Sequence, residues 1–392
     1  MTRRTLRLLA LAIVQVLVMS VWFSASVIAP DLRTTWSMGA TQSALLTIAV
    51  QLGFVAGAVT SAAAALPDRV GGGRLIGYAA CAAAMFNATL VLCTGPAPAI
   101  VLRFATGVCL AAVYPVGMKL VSDWFDHGRG FAMGLMIAAL AVGSNLPILV
   151  RGAGDLPWRP VVLTSTGLAA CGAVLAFLTL GSSATRSASA TLSRTALVGL
   201  FTDRRQRLVS IGYWGHMWEL YALWAWLPPY LAASAMTQGL EVTGAEAFLC
   251  LGVFGAIGCL LAGWLSSRHG PVAVARTALV TSGCCCVLSP VLFGTSTLLL
   301  LPFACLWGAA VIADSGQFST ALTRVASPER VGSSLTAQTA IGYLITNITL
   351  WSVPMASQLI GERFSLLVLG AGPLAGVVAL SRLPRVHQGG LR

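Results

Sequence analysis

The sequence predicts an all-α integral membrane protein with twelve transmembrane helices arranged as two pseudo-symmetric six-helix bundles. Three observations support this prediction: an apolar composition, an asymmetric distribution of basic residues, and an internal repeat. Of the 392 residues, 57% are hydrophobic and only 9% are charged, against about 25% charged in ordinary soluble domains. A soluble core cannot hide that much apolar surface, so the solvent of this chain must be lipid.

Hydrophobic stretches of about 20 residues, the length that crosses a bilayer as a helix, recur along the whole chain. The first stretch could also be a secretory signal, but its apolar run is about twice the usual core of 7–15 residues. We therefore expect it to be retained as a helix. The predicted helices cover residues 8–30, 41–65, 74–95, 98–121, 130–150, 159–180, 208–233, 245–266, 273–293, 297–320, 332–355 and 364–382.

The basic residues are unequally distributed between alternate loops. With the N-terminus inside, 19 of the 24 Lys and Arg residues fall on the inner side. Only Arg33, Arg151, Arg159 and Arg363 fall on the outer side, and Arg103 lies within a helix. The positive-inside rule therefore predicts that both termini are cytoplasmic, in a multi-pass protein of the cell (inner) membrane. The net charge of +12 thus reflects topology, and no nucleic-acid partner is expected.

Shifting the chain by 199 residues aligns its first half with its second. The matched pairs lie at helix ends, within the second helix and in the following loop: Pro30 with Pro229, Leu52 and Gly53 with Leu251 and Gly252, and Arg69 and Gly71 with Arg268 and Gly270. This repeat predicts an N-terminal bundle over 1–180, a Ser-, Ala- and Thr-rich cytoplasmic linker over 181–207, and a C-terminal bundle over 208–392. Two such bundles are typical of a solute carrier whose site lies where the repeats meet.

The loop between the second and third predicted helices carries a recognisable motif, ALPDRVGGGR. It resembles the Gly-x-x-x-Asp-Arg-x-Gly loop of the major facilitator superfamily, with Ala64 in place of the leading glycine, and the resemblance covers nearly the whole chain. In the second half, GWLSSRHG has Ser267 at the acidic position. The resemblance implies gating by an acid–arginine latch across the bundle interface, built from Asp68, Arg69, Arg74 and Arg268. The alternative to this latch is a turn held by glycines, with basic residues facing lipid phosphates.

The fourth predicted helix contains RFATG, with Arg103 and Gly107, which resembles a second pattern of the family. An arginine within a lipid span costs at least a few kcal/mol, which favours a role in a cavity, although Arg103 could also snorkel to the interface. The family places helices 1, 4, 7 and 10 around the central cavity. The amide side chains of Asn145 and Gln338 could either bind the solute or hydrogen-bond between helices. The predicted substrate-binding residues are Arg103, Trp22, Tyr114, Trp218, Tyr221, Asn145 and Gln338.

Only two of the twelve acidic residues lie well within predicted spans, Glu219 in the seventh and Asp314 in the tenth. His216 precedes Glu219 by three residues, so that both lie on one helix face. Burial disfavours the charged form of a carboxyl group, a basic neighbour restores it, and histidine titrates near neutral pH. We therefore predict Glu219, His216 and Asp314 as proton-coupling residues. The alternatives are a structural pair, direct substrate contact, or half of a metal site that lacks further ligands.

These features predict a secondary active transporter that moves a small solute by alternating access, driven by protons, as a monomer and without a cofactor. An organic anion is the favoured solute, with Arg103 and Lys119 as the candidate counter-charges. The first alternative is proton-driven efflux of a drug-like or toxic compound, because GLMIAALAVGSNLPILVRG matches half of an antiporter pattern. The second is a membrane sensor with a transporter-like fold. An enzyme is not expected, because no nucleophile, base and oxyanion donors occur together.

Overall fold

The computed structural model describes residues 3–125, 129–153, 156–181, 194–327 and 330–383. These ranges are built from helices, and none of their residues lies in a β-strand. The helical segments are, in order, α1 (Arg3–Met19, Ser24–Val27 and Ala29–Thr35), α2 (Ala40–Ala63), α3 (Gly72–Leu92), α4 (Pro96–Trp124), α5 (Arg129–Gly152), α6 (Trp158–Thr179), α7 (Arg204–Met236), α8 (Gly244–His269), α9 (Pro271–Leu292), α10 (Thr297–Val325), α11 (Val331–Ile360) and α12 (Glu362–Ser381).

The described helices confirm the predicted all-α membrane fold. Nine of them, all except α1, α7 and α11, are long and apolar enough to cross a membrane. The other three contain interruptions or polar residues but have comparable lengths, with 33 residues in α7 and 30 in α11. The order of the segments is consistent with the predicted twelve helices.

The predicted linker over 181–207 and the predicted C-terminal bundle over 208–392 lie partly outside the described residues. Within the linker, Arg194–Thr202 forms a short helix, and α7 already begins at Arg204, before the predicted start at 208. We call the side of the bilayer on which α6 ends and α7 begins the linker side, and the opposite side the distal side. The distribution of basic residues predicts that the linker side is cytoplasmic.

Three of the helices are interrupted near their middle. The first helix unwinds between Met19 and Ser24, and α4 is interrupted between Leu110 and Tyr114, where Pro115 cannot continue the hydrogen-bond ladder. The interruption in α10 is a single residue, Asp314. Irregular backbone at this depth is tolerated only where protein or a water-filled cavity surrounds it, so these breaks mark the centre of the molecule.

Glycines allow equivalent helix pairs in the two halves to pack closely. In the first half, a Cβ atom on Gly107 of α4 would lie 2.1 Å from the Val50 carbonyl oxygen of α2. In the second half, a Cβ atom on Gly308 of α10 would lie 2.1 Å from the Cys250 carbonyl oxygen of α8. Only a residue without a side chain fits at either position. The same pairing in both halves agrees with the repeat seen in the sequence.

The two halves meet along α5 and α8 and along α2 and α11. On the distal side, the end of α5 touches the beginning of α8, since a Cβ atom on Gly152 would lie 2.6 Å from Gly244 Cα. Near the distal end of α2, Ala44 and Ile48 pack against Leu350 of α11. These contacts hold the halves together on the distal side and leave room for a cavity on the linker side.

Candidate functional site

A cavity of about 480 Å³ lies between the two halves. Its mouth is formed by residues near the linker-side ends of α5, α8, α10 and α11: Gly130, Ser267, Arg324 and Leu335. Its blind end is formed by Leu140, Leu220, Tyr221 and Tyr343. The cavity is therefore open to the linker side and closed to the distal side, as expected of one state in an alternating-access cycle.

Aromatic rings close the blind end across the interface between the halves. Trp22, at the break in α1, stacks on Tyr221 of α7 with their ring centroids 5.6 Å apart. Phe54 of α2 lies 4.5 Å from the ring of Tyr343 of α11. The Tyr221 and Tyr343 hydroxyl groups are hydrogen-bonded to each other at 2.7 Å. Because the Trp22–Tyr221 and Phe54–Tyr343 pairs each join one half to the other, both pairs must separate when the distal side opens.

A histidine–aspartate pair borders this cavity. His216 Nδ1 lies 2.7 Å from Asp314 Oδ1, and the two side chains are only 1% and 2% exposed. His216 Nε2 lies 2.8 Å from Ser315 Oγ. The break in α10 at Asp314 brings Asp314 and Ser315 to one imidazole. His216 and Ser315 line the cavity, whereas Asp314 lies behind the histidine.

The expected pairing of His216 with Glu219 is wrong. The Glu219 side chain instead points between α9 and α10, where it accepts hydrogen bonds from Ser282 Oγ at 2.8 Å, Cys286 Sγ at 3.4 Å and Trp307 Nε1 at 2.7 Å. The spacing of three residues places both groups on one side of α7, but the neighbouring helices determine their partners. Among the described residues, Glu219 is not one of those that line the cavity.

Arg103 is fully buried and is bound to the broken first helix. Its guanidinium donates to the carbonyl oxygens of Val21 at 2.8 Å and of Trp22, and to Ser24 Oγ at 3.3 Å. The interruption of α1 frees these carbonyls from helical partners, and a buried guanidinium satisfies them. In the described part of the chain Arg103 lies outside the cavity wall. The free-energy cost of burying Arg103 in the membrane, which the sequence analysis explained by a role in a cavity, is therefore offset by hydrogen bonds to backbone carbonyl groups.

The other predicted substrate-binding residues divide into two groups. Tyr114 and Tyr221 line the cavity, and Trp22 forms part of its closed end. Three others hydrogen-bond to protein elsewhere: Trp218 Nε1 to the Val368 carbonyl at 3.0 Å, Asn145 Nδ2 to the Ala141 carbonyl at 2.9 Å, and Gln338 Nε2 to Ser210 Oγ at 3.1 Å.

Several cavity residues were missed by the sequence reasoning. Tyr213, Met217 and Leu220 lie one turn from His216 or beside it, so the 3.6-residue period of α7 could have identified them. Ser315 could have been found as the neighbour of Asp314. No local signal distinguished the residues contributed by other helices: Met118, Met133, Ile137, Gln317, Arg324, Thr339 and Tyr343.

The predicted gating residues lie on the linker side. Asp68 pairs with Lys119 Nζ at 2.7 Å, within the first half. The Arg268 guanidinium lies 4.0 Å from the centre of the Trp264 ring, within the second half. Arg69 and Arg74 are exposed. In this cavity-open state, no ion pair between described residues joins Asp68 to Arg268 across the interface.

Known proteins resemble this chain in sequence and fold. The sequence model of the Major Facilitator Superfamily matches residues 11–350. The Gallate transporter of Pseudomonas putida is 25% identical over 316 residues, which span 71% of this chain and 69% of that protein. The Probable L-galactonate transporter of Escherichia coli (strain K12) is 28% identical over 188 residues, 43% of this chain and 41% of that protein.

The match to the L-galactonate relative spans less than half of its length, and the same holds for MFS-type transporter pynF of Aspergillus niger, at 39%. A crystal structure of a bacterial homologue of the human lysosomal transporter Spinster, inward-facing and unoccupied, superposes with a TM-score of 0.71 at 16% identity. The superposition covers 97% of this chain and 96% of that one. The chain therefore belongs to the Major Facilitator Superfamily and is embedded in a membrane through several helices.

Proposed function

We propose that this chain carries an organic acid across the cell (inner) membrane together with a proton, as a monomer, with the His216–Asp314 pair as the proton site. The observation that carries the proposal is the position of this pair. It is buried among hydrophobic helices, yet His216 forms part of the wall of the cavity between the halves. The relatives named for gallate and for L-galactonate transport both point to organic acids as the substrate class.

The charge of the pair gives a physical reason for coupling. With neutral His216 and ionised Asp314 the pair carries one negative charge, and it carries none once His216 is protonated. A carboxylate in the cavity is repelled by the first form and attracted by the imidazolium of the second. Proton binding and anion binding therefore favour each other, and the coupling is reciprocal.

The same charges favour joint movement of the two species. The empty, deprotonated carrier and the carrier loaded with proton and anion both have one net negative charge at the site. A carrier holding the anion alone would have two, and burying an uncompensated charge in a dry protein interior is costly. Reorientation with the anion therefore requires the proton as well.

Arg324 adds a long-range attraction at the mouth of the cavity. It is exposed on α10 and makes no ion pair with an acidic residue in the described part of the structure. A cation at the entrance raises the local concentration of anions. We propose that Arg324, rather than Arg103, is the first positive charge an organic acid meets, and that Glu219 holds α7 against α9 and α10.

Uptake into proteoliposomes containing the purified chain tests this proposal. An acidic exterior should drive accumulation of gallate, L-galactonate or a related organic acid, and His216→Gln should abolish the accumulation. His269→Gln is the matched control, because His269 is exposed at the end of α8 and its ring is hydrogen-bonded to the Leu265 carbonyl of the same helix. Equal accumulation by both variants, or accumulation that ignores the pH gradient in the unmodified chain, would refute proton coupling through His216.

A further inference from the structure

The inner part of the cavity is better suited to a flat aromatic solute than to a polyhydroxylated one. The wall's uncharged polar side chains are concentrated on the linker-side segments of α8 and α10: Ser266, Ser267, Gln317, Ser319, Thr320 and Thr323. Four tyrosine rings line the cavity: Tyr114, Tyr213, Tyr221 and Tyr343. Three thioethers and three aliphatic side chains fill the space between them: Met118, Met133, Met217, Ile137, Leu140 and Leu220. Aromatic rings stack favourably on such walls, and methionine sulfur makes favourable contacts with ring edges.

Few polar groups at the blind end are free to bind a solute. The Tyr221 and Tyr343 hydroxyls are hydrogen-bonded to each other, and Ser315 is hydrogen-bonded to His216. The buried amide side chains of Gln15, Gln51 and Asn145 lie outside the cavity wall. A sugar acid brings several hydroxyl groups, and each one buried without a partner costs about 1–3 kcal/mol.

One phenol at the cavity is available. Tyr114 begins the second segment of α4, in the first half, and its hydroxyl makes no hydrogen bond with any described residue. His216 belongs to the second half. A solute with an acidic group at one end and a hydroxyl group at the other could therefore contact both halves, with its ring between the methionines.

We infer that the transported acid is an aromatic carboxylate bearing a ring hydroxyl, with its carboxylate at His216, where it takes the place of Ser315 Oγ as the partner of Nε2, its ring against the tyrosines and methionines, and its hydroxyl at Tyr114. This inference rests on the proposed organic-acid transport and specifies its substrate. It also makes Tyr114 a specificity-determining residue in the first half. A solute that joins the halves in this way would help to draw them together as the linker side closes.

Binding to the full chain in lipid nanodiscs tests the inference, with 4-hydroxybenzoate, 3-hydroxybenzoate, benzoate and L-galactonate as probes. A hydroxybenzoate should bind more tightly than benzoate, and L-galactonate should bind at least tenfold more weakly than either. Tyr114→Phe keeps the ring and removes the hydroxyl, so it should weaken hydroxybenzoate binding by about 3–10-fold and leave benzoate unchanged. Tyr78→Phe is the matched control, because Tyr78 is 60% exposed on α3 and is not one of the residues that line the cavity.

The outcomes separate the two proposals. Tighter binding of L-galactonate than of the aromatic acids would overturn the aromatic assignment and leave proton-coupled organic-acid transport intact. An equal loss of benzoate and hydroxybenzoate affinity in Tyr114→Phe would overturn the role given to the Tyr114 hydroxyl. Failure of all four acids to bind, in a protein that still unfolds cooperatively, would contradict both proposals.

Discussion

The contact between α5 and α8 on the distal side allows a quantitative test of alternating access. A Cβ atom on Gly244 would lie 2.4 Å from the Ile148 carbonyl oxygen and 2.8 Å from Gly152 Cα. Ordinary contact begins near 3.4 Å, so Gly244→Ala must push the two helices apart by about 1 Å. Overpacking of this kind costs about 1–3 kcal/mol.

This cost falls only on the state in which the distal ends touch. When the distal side opens, the two ends separate and the added methyl group meets no obstacle. A cost of about 1–3 kcal/mol therefore shifts the equilibrium about 5–150-fold towards the distal-open state. The equilibrium position sets how often the cavity residues on the linker side are exposed to water.

Hydrogen–deuterium exchange of the chain in nanodiscs measures this shift. Gly244→Ala should slow exchange in the linker-side segment of α10, Ser315–Val325, and accelerate it at the distal ends of α5 and α8. Gly167→Ala on α6 is the control, because Gly167 is exposed and a Cβ atom there would meet no described atom within 4 Å. An exchange pattern in Gly244→Ala that matches the unmodified chain would show that this contact does not hold the distal side closed.

Three further substitutions follow from the site. Glu219→Ala leaves the Trp307, Ser282 and Cys286 donors without an acceptor and should lower the free energy of unfolding by about 2–4 kcal/mol. Glu219→Gln, in contrast, should retain pH-driven uptake. Loss of uptake in a stable Glu219→Gln protein would instead support the coupling role predicted from the sequence. Arg103→Lys cannot reproduce a planar fork of donors, so its melting temperature in detergent should fall by several degrees, and an unchanged value would contradict the bridging of the α1 break. Asp68→Asn removes a partly exposed ion pair with Lys119 and should change the free energy of unfolding by less than about 1 kcal/mol. The same substitution should lower the transport rate, and an unchanged rate would contradict gating by this loop.

The membrane fold was predictable because its signals are local. The length of each apolar stretch and the charges of its flanking loops are properties of neighbouring residues, and the 199-residue repeat is visible when the sequence is compared with itself. The break in α4 also has a local cause, Pro115. The break in α1 has none, since SVWF at 20–23 contains neither proline nor glycine.

The site was less predictable because its geometry depends on contacts between distant helices. The sequence identified the buried ionisable groups on α4, α7 and α10 but could not assign their partners. Arg103 lies beside unwound backbone that only the folded α1 provides. Glu219 and His216 are neighbours on α7, yet they have different partners. Donors on α9 and α10 bind Glu219 away from the cavity, whereas Asp314 of α10 pairs with His216.

The number of protons that enter with each substrate molecule measures directly whether the His216–Asp314 pair is the proton site. A pH-sensitive dye inside proteoliposomes, read alongside radiolabelled organic acid, gives this ratio for the unmodified chain, His216→Gln and Asp314→Asn. We expect one proton per monocarboxylate in the unmodified chain and no coupled proton entry in either variant. Substrate entry without protons in the unmodified chain, or an unchanged ratio in His216→Gln, would contradict the assignment of the proton site to the His216–Asp314 pair.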